Sequence, residues 1–201
     1  ENTSSPEPFA PLADWTLGGT RVALAATRSG EVFIFLGGAV AFVRRNSRWR
    51  GFPLDILREV GWFSSNGGIN RELKRVALIS LVDASTAHHG ACLGIVRAGR
   101  RDAALNGLVA ANERWADPGN RRRAMFGQHQ FEQLTRRQRL ELLSMDGATV
   151  LDHRGTILAA GAILQVGGGS TGGGRTAAAK AIAPFGVGIK VSQDGPIVAY
   201  S

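Results

Sequence analysis

Cysteine is nearly absent from this chain: Cys92 is the single one among 201 residues. One cysteine excludes an internal disulfide and a cysteine-rich metal site, and fits a reducing compartment. No uninterrupted apolar run reaches membrane-spanning length, because glycine or charge breaks every candidate, so a soluble chain without a membrane span is expected. The first stretch lacks the basic and apolar regions of a signal peptide. A cytoplasmic location is expected on these grounds, and Glu1 in place of an initiating methionine reads as a piece of a longer protein. There is no helix-turn-helix or zinc-finger pattern, and no aromatic interleaving of the kind single-strand binders use.

Positive charge is what the chain has in excess. The formal net charge is +8, concentrated in Arg44-Arg45-Arg48-Arg50, Arg97-Arg100-Arg101, Arg121-Arg122-Arg123 and Arg136-Arg137-Arg139. Such a field favours anionic partners, from nucleotides to nucleic acid. The clusters are scattered, each reads as a solvated face, and a nucleic-acid partner is disfavoured.

Residues 1–19, rich in proline, serine and acid, read as a linker or tail. From Arg21 the apolar runs Val22–Ala25, Glu31–Leu36 and Ala39–Val43, parted by Ser29-Gly30 and Gly37-Gly38, predict a small β-meander extended by Trp49 and Phe52. This appendage spans 20–69 and includes a helix expected over Leu54–Phe63. The main domain, 70–201, begins with a helix that Asn70 caps and that reaches about Leu81. A buried strand Ala91–Val96 follows, then an apolar stretch of undecided type over Ala103–Arg114. Thr135 and Gln138 form a capping box for a short helix ending at Asp146-Gly147. Strands over Ala148–Leu151 and Thr156–Leu164, a helix Ala177–Ala183 stopped by Pro184, and a hairpin pairing Val187–Val191 with Ile197–Tyr200 complete the chain. The fold class is α/β, a mixed central sheet flanked by helices, with the meander appended at the N-terminus.

Two elements of the last third point to chemistry. Gly167 to Gly174 surrounds Ser170-Thr171 with glycines, removing the β-carbons that keep a ligand off the backbone. A helix starting near Thr176 adds unpaired first-turn N–H groups and the positive end of its dipole, with Arg175 as a charged fork beside them. The result reads as an anion nest; a plain flexible connection is the alternative. Gly169 to Gly174 followed by Arg175-Thr176 also approaches the phosphate-loop pattern of nucleotide hydrolases. Arginine stands where that motif needs lysine, and its βαβ context is missing, so this reading is set aside. The second element is Ser144-Met145-Asp146-Gly147-Ala148-Thr149, an acid beside a glycine at a helix end.

In order and spacing, Asp146-Gly147-Ala148, the strand ending Ile157-Leu158-Ala159-Ala160-Gly161, the Gly/Ser/Thr loop with its arginine, the Ala-rich helix and Lys190-Val191-Ser192-Gln193-Asp194-Gly195-Pro196-Ile197 resemble the diadenylate cyclase domain. That nucleotidyl-transferase domain lies at the N-terminus of DNA-integrity scanning proteins. The resemblance covers roughly Asn70 to Ser201, and the meander looks like the extension of divergent sensor members of the superfamily. It implies that Asp146 handles a divalent metal, Mg²⁺ or Mn²⁺, and the attacking 3′-hydroxyl in an active enzyme. It also implies that a second motif, Gly-Thr-Arg-His-Arg-Ala-Ala, grips ATP phosphates, and that two domains meet face to face as a homo-oligomer. Here Gly172-Gly173-Gly174-Arg175-Thr176-Ala177 occupies the second motif, so Arg175 stands for its last arginine; a one-residue slip puts Arg175 at the histidine instead.

Losing two charge-assisted contacts, each about 1.5–3 kcal/mol, favours binding over catalysis. The expected ligand is a nucleotide or cyclic dinucleotide such as cyclic di-AMP. Its expected contacts are Asp146, Gly147, Ala148, Gly169, Ser170, Thr171, Gly172, Gly173, Gly174, Arg175 and Thr176. An active cyclase making cyclic di-AMP from two ATP, with Asp146 catalytic and metal-binding, is the alternative, and an arginine-rich interaction module the third. Asp83, Ser85 and Thr86 read as pocket-lining or as helix-end groups. His88-His89 with Cys92 lacks a fourth zinc ligand, and Asp194 is a turn residue.

Overall fold

The computed structural model describes residues 5–51, 68–127, 129–166 and 173–201. The helix expected over Leu54–Phe63 and the loop residues Gly169, Ser170, Thr171 and Gly172 lie outside these. Chain contacts divide the molecule into two units, Glu1–Glu59 and Val60–Ser201.

The first unit is an antiparallel meander of β1 (Val22–Ala26), β2 (Val32–Leu36), β3 (Ala39–Arg45) and β4 (Arg48–Gly51), paired in chain order. Alternation places Phe33, Phe35, Val40 and Val43 on its buried face. Within the stretch expected as a tail, a 3-10 turn Glu7–Phe9 and helix α1 (Ala10–Trp15) form. Each has a proline near its start, where the fixed φ suits a helix and the missing N–H costs nothing. They pack onto that face: the Phe9 ring lies 5.5 Å from Phe33 and 5.9 Å from Phe35. Glu31 and Arg45 pair at one margin of the sheet.

The second unit is built on a five-stranded sheet in the order β7-β6-β5-β8-β9. Its strands are β5 (Ala91–Val96), β6 (Ala148–Asp152), β7 (Ile157–Ala162), β8 (Gly186–Val191) and β9 (Ile197–Tyr200). β5 and β6 run parallel and the other pairs antiparallel, so the sheet is mixed. The helices are α2 (Arg71–Thr86), α3 (Arg101–Leu108), α4 (Arg121–Phe126), α5 (Arg136–Ser144) and α6 (Gly174–Ile182). The chain is thus α/β, a mixed sheet flanked by helices with an antiparallel meander before it.

Cys92, Gly94 and Val96 of β5 face α6: Cys92 and Val96 share a core with Ala178, Ala179 and Ile182, and a β-carbon on Gly94 would stand 2.7 Å from Ile182. Their neighbours Leu93 and Ile95 point the other way, toward the layer of α2 and α5. α2 starts where expected, the Asn70 side chain accepting from the Glu72 amide at 2.9 Å, and runs on to Thr86 because Val82 and Ala84 continue its buried face. The capping box of α5 is present, Thr135 and Gln138 exchanging side-chain bonds with each other's amides.

Arg97, Arg100 and Arg101 are exposed, as their reading as a solvated face expects, but the cluster Arg136-Arg137-Arg139 differs from that reading. Arg136 binds Asp83 of α2 through two bonds of 2.6 and 2.7 Å, in a pair mostly shut from solvent. Arg139 is buried and donates to Ser80 Oγ and the Leu134 carbonyl. Arg137 alone of the three is exposed, pairing with Glu141 on the surface. The reason is helical spacing: Arg136 and Arg139, three apart, share the face of α5 turned to α2.

Candidate functional site

Strand direction gathers the motif residues at one end of the sheet. β5 and β6 are parallel with Leu93 opposite Thr149, so the turns entering them, His89-Gly90 and Asp146-Gly147, lie side by side. β7 runs against β6 with Ala148 opposite Ala162, which brings Gly161 and Ala162 to the same end. α6 crosses the face of β5 and β8 and starts there too, at Gly173-Gly174-Arg175.

Asp146-Gly147 is a tight turn pressed on β7. Gly147 has φ of 103°, and a β-carbon on it would meet the Gly161 backbone at 2.5 Å. Gly161 in turn has φ of 56°, and a β-carbon there would stand 3.0 Å from Met145 Cβ, 3.1 Å from the Asp146 carbonyl and 3.4 Å from Arg122 Nε. Two glycines in the left-handed region thus let the acid-bearing turn lie against the neighbouring strand. The Asp146 side chain projects from it almost fully exposed, at 94%.

Arg175, on the first turn of α6, folds back over Gly90. A β-carbon on Gly90 would stand 2.7 Å from its Nη1 and 2.9 Å from its Cζ. Its Nη2 lies 3.8 Å from Asp146 Oδ1, a loose pair, and its Nε is buried without a hydrogen-bond partner. Gly173, with φ of 80°, begins α6 and supplies no side-chain cap. This edge therefore holds a partly satisfied guanidinium, an exposed carboxylate and the electropositive start of a nine-residue helix.

The other expected residues fall as follows. Gly174 opens α6, Thr176 is buried beneath the helix start, and Ala148 is buried in the core of β6. Asp83 is committed to Arg136, Ser85 Oγ donates to the Gly195 carbonyl at 2.6 Å, and Thr86 donates to the Val82 carbonyl. His88 Nδ1 lies 3.1 Å from the Gln193 carbonyl. Burial pushes the Cys92 thiol up to about 12 against the opposing charge of Arg175, so it stays a protonated core residue. Among the described residues no three of His, Cys, Asp and Glu gather as a metal-holding group. Asp146 is a single carboxylate, which fits a hard cation that brings phosphate oxygens and water as its other ligands.

Sequence reasoning named Gly161 only as the end of a strand and Arg122 only within an arginine cluster, and did not bring either to this turn; it missed Gly90, which nothing local marks. Arg122 had a signal in Asn120, whose side chain caps α4 by accepting from the Arg122 amide at 3.0 Å. A cleft of about 470 Å³ adjoins the turn from the other side, lined by His89, Met125, Phe126, Leu140 and Met145 with Arg137 and Glu141 at its margin.

No family model matches this chain, and no curated protein matches it. Among solved structures, a hypothetical membrane spanning protein from Bacillus cereus is 15% identical, with a TM-score of 0.49 over 74% of this chain and 71% of that one. A double mutant of DacA from Staphylococcus aureus is 14% identical, with a TM-score of 0.42 over 63% of this chain and 79% of that one. At such identities and scores neither likeness bears on what this chain binds. No helix among the described residues is long and apolar enough to cross a membrane.

Proposed function

We infer that residues 70–201 form a diadenylate cyclase-like domain that binds a nucleotide or a nucleotide-derived second messenger as a sensor. One observation carries this reading: at the edge where the parallel strands begin, the guanidinium of Arg175, its Nε buried without a hydrogen-bond partner, and the glycine start of α6 stand beside Asp146. A phosphate suits that arrangement, since its oxygens would accept from Arg175 and from the first amides of the helix, and its charge would displace the loose contact with Asp146. The motif order around Asp146-Gly147-Ala148 and Val191-Ser192 supports a nucleotide as the bearer of that phosphate. Gly169, Ser170, Thr171 and Gly172 extend the same set of backbone donors in this proposal.

The exposure of the Asp146 carboxylate favours the second reading, an active cyclase with Mg²⁺ or Mn²⁺ held at Asp146 and two domains facing each other. A bound metal would supply charge stabilisation to the phosphates; Arg175 and the helix start would hold and orient them. Against it stands the single arginine where the resembling motif has two and a histidine. Incubation with ATP or GTP and Mn²⁺, followed by mass spectrometry, separates the two. The sensor reading expects nucleotide binding without a cyclic dinucleotide product. Product formation lost in Asp146→Asn overturns it in favour of the cyclase.

A further inference from the structure

We propose that the outer face of the N-terminal meander is a self-association surface, and that it is covered by the same face of a second copy of this chain. Antiparallel strands with one face in water alternate apolar with polar residues, whereas strands covered on both faces read as continuous apolar runs. β1, β2 and β3 as far as Val43 are runs of the second kind. The inner face accounts for half of each run: Phe33, Phe35, Val40 and Val43 are buried, and Phe9 packs on the first two. The outer half is uncovered, with Val22, Leu24, Leu36, Phe42 and Trp49 each between 45 and 65% exposed. Register makes them one patch. Val22 lies opposite Leu36, Leu24 opposite Ile34 and Ile34 opposite Phe42, while Val32, Arg44 and Trp49 form the next row.

Charge decides the occupant. Among the strand residues of this unit, Arg44 is the one charge that register puts on the outer face. Arg45 and Arg48 pair with each other and Arg50 with Val43, at inner-face positions. Arg45 is held there by Glu31 and lies over the Phe33 ring, and Arg21 lies over Trp15 of α1. An anionic membrane attracts arginines to its contact surface, and this face has turned them away. A second copy needs that arrangement, because about a two-fold axis the same patch meets itself and like charges would oppose each other. Five half-exposed side chains of this size offer on the order of 500 Å², and with Val32 and Ile34 among them the face approaches the roughly 800 Å² per partner of a specific interface. Two such faces stacked about 10 Å apart make the core of a β-sandwich. The association ties two copies of the candidate site into one particle, whichever ligand that site holds.

Sedimentation equilibrium of the whole chain tests this, with Leu24→Glu and Phe42→Glu on the face and Val198→Glu, at an exposed residue of β9, as the control. Circular dichroism checks that each variant is folded. Wild type is expected to dimerise with a Kd of about 10 µM or tighter, and each face variant to weaken the dimer about tenfold or more, since its carboxylate would be buried twice per dimer. Val198→Glu should leave it unchanged. A second readout places no charge on the face. Cys92, the single cysteine, is buried, so Leu24→Cys carries the one accessible thiol, and its reaction with a maleimide should slow as the dimer forms. Wild type that stays monomeric at about 100 µM overturns the proposal. So does a dimer that the folded face variants leave intact, or in which the thiol of Leu24→Cys reacts as fast as in the monomer, because its interface then lies elsewhere. Monomer that binds phosphatidylglycerol vesicles and loses them in Leu24→Glu and Phe42→Glu overturns it in favour of a lipid surface.

Discussion

Replacing Gly90 by alanine tests the site at a position that touches no ligand. The new methyl would stand 2.7 Å from Arg175 Nη1 and 2.9 Å from Cζ, well inside contact distance. Gly90 is not in the left-handed region, so alanine fits its backbone. The obstructing atoms are the far end of a long side chain, and rotating them away costs the fold little, within about 1 kcal/mol. Moving them takes the guanidinium off its place 3.8 Å from Asp146 Oδ1. Affinity for a phosphate ligand should then fall by nearly as much as in Arg175→Ala, about 1.5–3 kcal/mol, or roughly 10- to 150-fold. Because both changes act on one contact, Gly90→Ala with Arg175→Ala should be no weaker than Arg175→Ala alone. Calorimetric titration of ATP into the four proteins, with urea unfolding as a check on stability, reads all of this. Wild-type affinity in a folded Gly90→Ala protein would refute the reasoning, since the position of Arg175 over Gly90 would then have no part in binding.

Other outcomes follow from the same geometry. Asp146→Asn should abolish any metal-dependent nucleotide binding and any cyclic product, measured by calorimetry with Mn²⁺ and by mass spectrometry. Asp83→Ala removes the carboxylate that ties Arg136 of α5 to α2, and urea unfolding should show a loss of about 3 kcal/mol. The folded-state value of Cys92, raised to about 12, lies above its reference of 9.0. The native protein therefore holds the thiol proton longer, so this contribution to stability is whole below pH 9 and is lost as pH rises toward 12. Native Cys92 should accordingly resist a thiol reagent at pH 8 and react on unfolding. Mixed oligonucleotides should bind weakly with a shallow salt dependence, because a pocket for one nucleotide neutralises few phosphates; a tight complex with a steep slope that Arg175→Ala leaves unchanged would favour the interaction module.

Local pattern was enough for the meander, several strands and two helix starts, but not for α1, α3 or α4. Alternation in Val32–Leu36 and the Gly37-Gly38 pair specify the meander, Asn70 and the Thr135–Gln138 box specify two helix starts, and the run Ala91–Val96 is bounded as expected. These features act within one turn or one hairpin, and residues carry such preferences with them wherever the chain goes. Asp146-Gly147 and Arg175 were legible for the same reason, each being a short string at the junction of two elements.

What required the tertiary structure is who meets whom. The parallel pairing of β5 with β6 puts Gly90 beside Asp146, and the antiparallel pairing with β7 puts Gly161 under the same turn. Only then do two glycines acquire a purpose, one making room for a guanidinium and the other for a backbone turn. The arginine clusters divide in the same way, Arg136 and Arg139 turned inward to Asp83 and Ser80 and Arg122 laid against Gly161, while Arg137 stays in solvent. Charge is the same in each of them along the sequence. Burial and the partner brought by a distant segment decide whether an arginine is a surface charge, a tie between helices or a contact for a ligand, because those depend on distances that local sequence does not set.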